Sequence, residues 1–198
     1  MEPLKQWADV ASGVGLAVPD VTQSTHYTCG PSVLHAALEY FRKASPGEAA
    51  IASAIGSTPQ DGTTYDQMLE GAAAFNLQAE LVEGVSTNYL AASLEAGELP
   101  LVPLQAWASD EPPPGGYEGR WTNAHFVIVV AIDLERGDIL FEDPALDGAR
   151  GYLTIPEFES RWHVLKDDKP TEGVAIITRG DGPTALRAPA LDPAKPMG

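Results

Sequence analysis

The chain has 198 residues, 44% of them hydrophobic and 20% charged, a balance that suits one folded domain with a real core. Its 28 acidic and 12 basic side chains leave a net charge of −16, which argues strongly against a nucleic-acid partner and disfavours an anionic membrane surface, both of which need a basic footprint. The longest apolar run, Phe126 to Ile132, is far short of the about 20 residues that cross a bilayer, and a single cysteine, Cys29, rules out an internal disulfide.

The first twenty residues carry Glu2 and Asp9, lack a basic start, and have only a short, glycine-broken apolar stretch, so no secretory signal is read there and the expected location is cytoplasmic. The first helix is expected from Pro31 to Lys43. Val33, Leu34, Ala37, Leu38 and Phe41 recur at helical spacing, Thr28 stands as N-cap, and Pro31 suits a first turn. A second helix is expected over Glu48 to Ile55. A third follows "DGTTYDQM", capped by Thr63 or Thr64, with Leu69, Ala72, Ala73 and Leu77 on one face; a fourth runs from about Thr87 to Ala96.

Strands take over after that. "ELPLVPLQAWA", "AHFVIVVAIDL", "DILFEDP", "GARGYLTI" and "EGVAIITR" give a set of about five, and "IPEFESRW" between the last two predicts a short helix opened by Pro156. The fold class is therefore α+β, an N-terminal helical half packed on a C-terminal antiparallel sheet. Residues 1–178 are expected to form one domain. Residues 179–198, with four prolines and no periodicity, are expected to be a flexible tail. The loop "SDEPPPGGYEG", Ser109 to Gly119, leads directly into the strongest strand and is expected to border any cleft at its start.

Four residues carry the chemistry. Cys29 falls at a helix N-terminus, where free N–H groups and the helix dipole favour a thiolate. His125 begins the strong strand and Asp143 ends the next one. If these strands are antiparallel neighbours, the two side chains meet at one sheet edge, and the aspartate can orient the imidazole as a base. Gln23, six residues before the cysteine, offers a side-chain amide to an oxyanion hole beside the Cys29 N–H. Singly, each residue has a plainer role: a buried thiol, a strand-end histidine, a turn-forming aspartate, an ordinary glutamine. Together they fall where one active site requires them. Of the other histidines, His26 is expected in a cleft wall, His35 on the wrong turn of its helix for a base, and His163 in a structural role. One cysteine and four scattered histidines give no metal pattern, and nothing calls for a cofactor.

With those residues in place, a resemblance emerges. Gln23 followed six residues on by "CGPS" and an apolar helix, then "NAHFVIVVAID", "LFEDPA" and "IPEFESRW", resembles the C39 peptidase family of the papain-like cysteine protease superfamily, over about Thr22 to Ile177. "DGTTYDQMLEGAAAFNLQAE" resembles that family's Gly-Thr-helix segment. The family includes domains that cleave double-glycine leader peptides. The resemblance implies a papain-like fold with Cys29 as nucleophile, His125 as base, Asp143 as orienter and Gln23 as oxyanion donor, acting on a peptide or amide substrate. Such peptidases often precede transport and ATP-binding domains; no "GxxxxGK[ST]" motif is read in these 198 residues, and the leader-peptide substrate is not expected to carry over. The same scaffold resembles phytochelatin-synthase-like acyltransferases. Hydrolysis by a cysteine peptidase is the favoured reading; acyl transfer and a catalytically inactive peptide-binding module are the alternatives. The substrate and the oligomeric state are not legible.

Overall fold

The computed structural model describes residues 15–41, 43–106, 116–121 and 124–180, and the backbone of 194–196. Three helices come first: α1 (Cys29–Tyr40), α2 (Glu48–Ile55) and α3 (Tyr65–Ala74). β1 (Gln78–Val82) and α4 (Thr87–Glu95) lead into the sheet strands β2 (Leu99–Gln105), β3 (Ala124–Asp133), β4 (Asp138–Glu142) and β5 (Arg150–Thr154). Then come α5 (Ile155–Arg161), the hairpin β6 (His163–Lys166) and β7 (Lys169–Glu172), β8 (Ala175–Arg179), and the short β9 (Ala194–Pro196).

The expected α+β class is the one found. The sheet order is β1-β8-β2-β3-β4-β5-β9, antiparallel throughout except for the parallel β5–β9 pair. β2 and β3 lie inside the sheet and, past the exposed Ala124, their hydrophobic residues are buried, which is why their sequences read as continuous apolar runs rather than as alternation. α1 packs on β3 and is enclosed by α2 and α3, so Val33, Leu34, Ala37 and Leu38 are fully buried. No described helix is long and apolar enough to cross a membrane.

Several boundaries differ from expectation for identifiable reasons. α1 starts at Cys29, as an N-cap at Thr28 requires, and ends at Tyr40 rather than Lys43; Thr28 holds the N-cap position without a side-chain capping bond, its hydroxyl turning back to the Thr25 backbone at 3.2 Å instead. Thr64 caps α3 through a full capping box with Gln67, but the helix ends at Ala74, leaving Ala73 exposed and Leu77 buried beyond the last turn. More strands form than the five expected. β1 is a half-exposed edge strand with weak patterning, and the β6–β7 hairpin turns on Asp167 and Asp168, both at positive φ, the geometry of a two-residue type I′ connection. Of the proline-rich loop, 109–115 lie outside the described residues, as do 181–193 and 197–198 of the tail.

Two features set the position of α1 against the sheet. Register slips between Val129 and Ala131 of β3, and the carbonyl of Val130 is thereby used by the N–H of Leu16 in the entering chain. Gly30, in the first turn of α1, lies so close to the 57–64 loop that a Cβ there would sit 2.8 Å from Thr63 Cβ. Glycine is the residue that allows this approach.

Candidate active site

Cys29 opens α1, and its sulfur faces the first residues of β3. The antiparallel β3–β4 pairing sets Ile128 opposite Glu142, which brings the start of β3 beside the turn after β4. There His125 Nε2–H donates to Asp143 Oδ1 at 2.6 Å. The pair is nearly sealed from water, His125 at 3% and Asp143 at 1% exposure. Asp143 Oδ1 also accepts the Ala145 N–H at 2.9 Å, so the aspartate orients the imidazole and forms its own turn at once. With Nε2 engaged by Asp143, Nδ1 is the ring nitrogen left to meet the thiol, and a hydrogen bond does join the Cys29 and His125 side chains.

The electrostatics follow from that chain of contacts. Burial pushes the Cys29 thiol up. It is outweighed by the hydrogen bond and charge of His125 and by the Phe126 and Gly30 backbone N–H groups, so the pKa falls below its ordinary 9.0. Burial pushes His125 down. The hydrogen bonds and charges of Asp143 and Cys29 win, and its pKa rises to about 9. Together these shifts favour a thiolate beside an imidazolium.

The thiol opens into a cleft of about 550 Å³. The 59–64 loop, the first turn of α3 and Tyr27 line it, with Asp61 from the loop and Asp66 from the helix, together with Pro103, Trp121, Phe126, Val164 and Leu165. His26 stands on this cleft and on a neighbouring depression. His35 is remote from it in role, bonded through Nδ1 to Ser45 Oγ at 2.7 Å, and His163 is buried against the 120–121 segment.

Gln23 is placed differently from the other three. It lines the neighbouring depression with Thr22, Ser24, Thr25, Pro144 and Ala145, and not the Cys29 cleft. Its backbone N–H binds the Pro144 carbonyl at 2.8 Å, which ties it to the turn that carries Asp143. Its side-chain Nε2 donates to the Thr25 carbonyl at 2.8 Å, and its Oε1 is buried without a partner. A primary amide has two N–H donors, so one remains uncommitted. The cleft residue Leu165 escapes sequence reasoning because the packing of β6 beside β2 sets it near the thiol, and Trp121, four residues before His125, is set on the cleft against His163 of β6. No group of three or more metal-ligating side chains occurs among the described residues.

The sequence model of the Peptidase_C39 like family matches residues 15–169. No curated protein matches the chain. Several solved structures share its fold, three of which follow. A protein described as a C39-like peptidase from Bacillus anthracis is 18% identical, covers 87% of this chain and 100% of its own, and superposes with a TM-score of 0.62. A double glycine motif protease from an AMS/PCAT transporter, in complex with the leader peptide, is 18% identical over 83% of this chain and 92% of its own, TM-score 0.57. The peptidase domain of Streptococcus ComA, a bifunctional ABC transporter of a quorum sensing pathway, is 15% identical over 81% and 96%, TM-score 0.52.

Proposed function

The chain belongs to the Peptidase_C39 like family, and on that premise we propose that it is a papain-like cysteine peptidase that opens an amide bond through an acyl-enzyme on Cys29. The observation that carries the reading is the buried relay from Asp143 through His125 to a thiol whose pKa is lowered. A structural cysteine gains nothing from such a relay, whereas a nucleophile depends on it.

In the first step the Cys29 thiolate attacks the substrate carbonyl. The C–S bond forms and the carbonyl electrons move to oxygen. The resulting oxyanion lies near the N-terminus of α1, where the Cys29 N–H is the first donor assigned to it; Gln23, whose amide donates to the Thr25 carbonyl from the neighbouring depression, serves as the second donor by turning its remaining N–H toward the cleft. His125 then gives its proton to the leaving nitrogen as the C–N bond breaks. In the second step His125 takes a proton from water, the hydroxide adds to the thioester carbonyl, and the C–S bond breaks with its electron pair returning to sulfur; the carboxylic acid released gives its proton to solvent and leaves as carboxylate. The imidazolium and thiolate are restored. Asp143 keeps its charge throughout and holds the ring. Residues 1–178 are assigned to this one catalytic unit, with 179–198 as an extension of it.

The test is intact-protein mass spectrometry with activated acyl or peptide substrates. It should reveal an adduct on Cys29 that decays to free carboxylate, including with millimolar amine present. Saturable capture of the acyl group by an amine would make the enzyme a transferase. An inert Cys29 would leave only a binding module.

A further inference from the structure

The catalytic relay does not account for the wall of the cleft formed by Trp121, Val164 and Leu165. Leu165 is 45% exposed, while Val164 beside it is buried. An exposed leucine alone is ordinary; one beside an indole on the cleft of a nucleophile offers apolar surface to whatever enters. Trp121 is held in place by contacts that the reaction does not use. His163 Nε2–H donates to the Arg120 carbonyl at 2.6 Å, and its ring lies 4.4 Å from the Trp121 ring, tilted by 53°. The His163 carbonyl in turn accepts Gln105 Nε2–H at 2.9 Å, fixing β6 to β2. At the other end of the segment the Arg161 guanidinium, which donates to Glu157 Oε1 at 2.5 Å, sits 3.7 Å over the Tyr117 ring. The segment 117–121 is thus pinned at both ends.

We propose that Trp121 is a specificity-determining residue: with Leu165 it packs an apolar side chain of the substrate, and His163 is the positioning residue that holds the indole for that contact. The inference rests on the reading of this cleft as the site of a peptide or amide substrate. A rigid aromatic wall loses little freedom on binding, which suits it to selecting side chains rather than to chemistry.

The test uses the full chain and labels Cys29 covalently, so it needs no turnover. The probes are chloroacetyl amides of leucinamide, phenylalaninamide, serinamide and glutamic acid amide, with iodoacetamide as the probe that makes no side-chain contact. The leucine and phenylalanine probes should label at least about tenfold faster than the serine probe, through tighter initial binding, as expected for apolar contacts of this size. Trp121→Ala should reduce that preference to less than about threefold, and Trp121→Phe should retain most of it. Leu165→Ser, at a half-exposed position, should also weaken it. His163→Leu should weaken it, and His163→Gln, which keeps a donor, should restore part of it. The iodoacetamide rate of each variant is its own reference, and the preference is read as the ratio of each probe's rate to it, so a change in access to the thiol cancels. Equal labelling by all probes in the native protein, or a preference untouched in both Trp121→Ala and Leu165→Ser, would overturn the proposal. Ordinary iodoacetamide reactivity of Cys29 would instead count against the nucleophile, a different result from loss of the apolar preference.

Discussion

His125 and Asp143 meet at 2.6 Å across adjacent antiparallel strands, in a place almost closed to water. There a charge–imidazole contact is far less screened than at the surface. The contact fixes which ring nitrogen faces the thiol and holds the proton on the other. Asp143→Asn offers an acceptor and a donor in nearly the same shape but lacks the charge, and permits the wrong tautomer. It should cut kcat by up to about ten-thousand-fold while leaving the fold intact. Circular dichroism and steady-state kinetics on one preparation check this. A loss below about tenfold would remove Asp143 from the orienting role.

The opposed shifts of Cys29 and His125 predict a bell-shaped dependence of kcat/KM on pH. The acid limb follows the lowered thiol and lies below 9.0; the alkaline limb follows His125 near 9. The two groups titrate as a pair, so the limbs belong to both. Stability carries the same signature with opposite signs. His125 has a raised pKa, so its contribution is complete below 6.5 and fades as pH rises through about 9. Cys29 has a lowered pKa, so its contribution is complete above 9.0 and fades as pH falls through the folded value. Cys29→Ala removes one of the partners that raise His125, and its NMR titration should move down. An unmoved His125 would mean the thiol and the ring do not interact.

Iodoacetamide should modify Cys29 well below pH 9.0, and His125→Ala should return the reaction toward ordinary thiol behaviour, because the side chain that most lowers the pKa is gone while burial remains. Rates measured by mass spectrometry across pH decide the matter. Identical profiles for the two proteins would assign the reactivity to the helix terminus alone.

Much of this arrangement is legible in the sequence because it depends on strong local signals. The apolar run of β3, the stop at Pro144 after β4 and the helical spacing of α1 place His125, Asp143 and Cys29 on definite elements, and antiparallel pairing does the rest. What escaped depends on contacts distant in the chain. β1 is half-exposed and reads weakly, since it gains its place by pairing with β8 almost a hundred residues later. The β6–β7 hairpin had a local signal in Asp167-Asp168, two residues that tolerate positive φ between short extended runs. Trp121 had only its nearness to His125 at the start of β3, because its contact with His163, more than forty residues later, is what holds it on the cleft.

Gly30→Ala tests how closely α1 is held to the loop before α3. The added methyl would sit 2.8 Å from Thr63 Cβ, and Thr63 is itself tied to Ser57 Oγ at 2.8 Å, so the loop cannot simply swing aside. Overpacking of this kind costs about 1–3 kcal/mol. Because Gly62, Thr63 and Thr64 all line the cleft, KM should rise as well. Urea denaturation and substrate titration read the two effects; a Gly30→Ala protein of native stability would show that the contact relaxes freely.

Glu142 and Arg150 supply the last prediction. Both side chains are buried, at 0% and 4% exposure, and they form an ion pair between β4 and β5. Glu142 Oε1 also accepts the Val21 N–H at 2.9 Å, and the Arg150 guanidinium donates to the Val18 carbonyl. The pair therefore fastens the entering segment, which continues to Gln23, against the strand that ends beside Asp143. Arg150→Met fills a similar volume but strands a carboxylate in the core, at a cost of about 3–5 kcal/mol. Adding Glu142→Gln removes the stranded charge while keeping an acceptor for Val21, so the double variant should recover much of that loss. Charge, rather than lost packing, is the cause assigned here, and urea denaturation of the single and double variants separates the two. A double variant as unstable as Arg150→Met would show that the guanidinium matters through its packing and its bond to Val18, and not as a partner for Glu142.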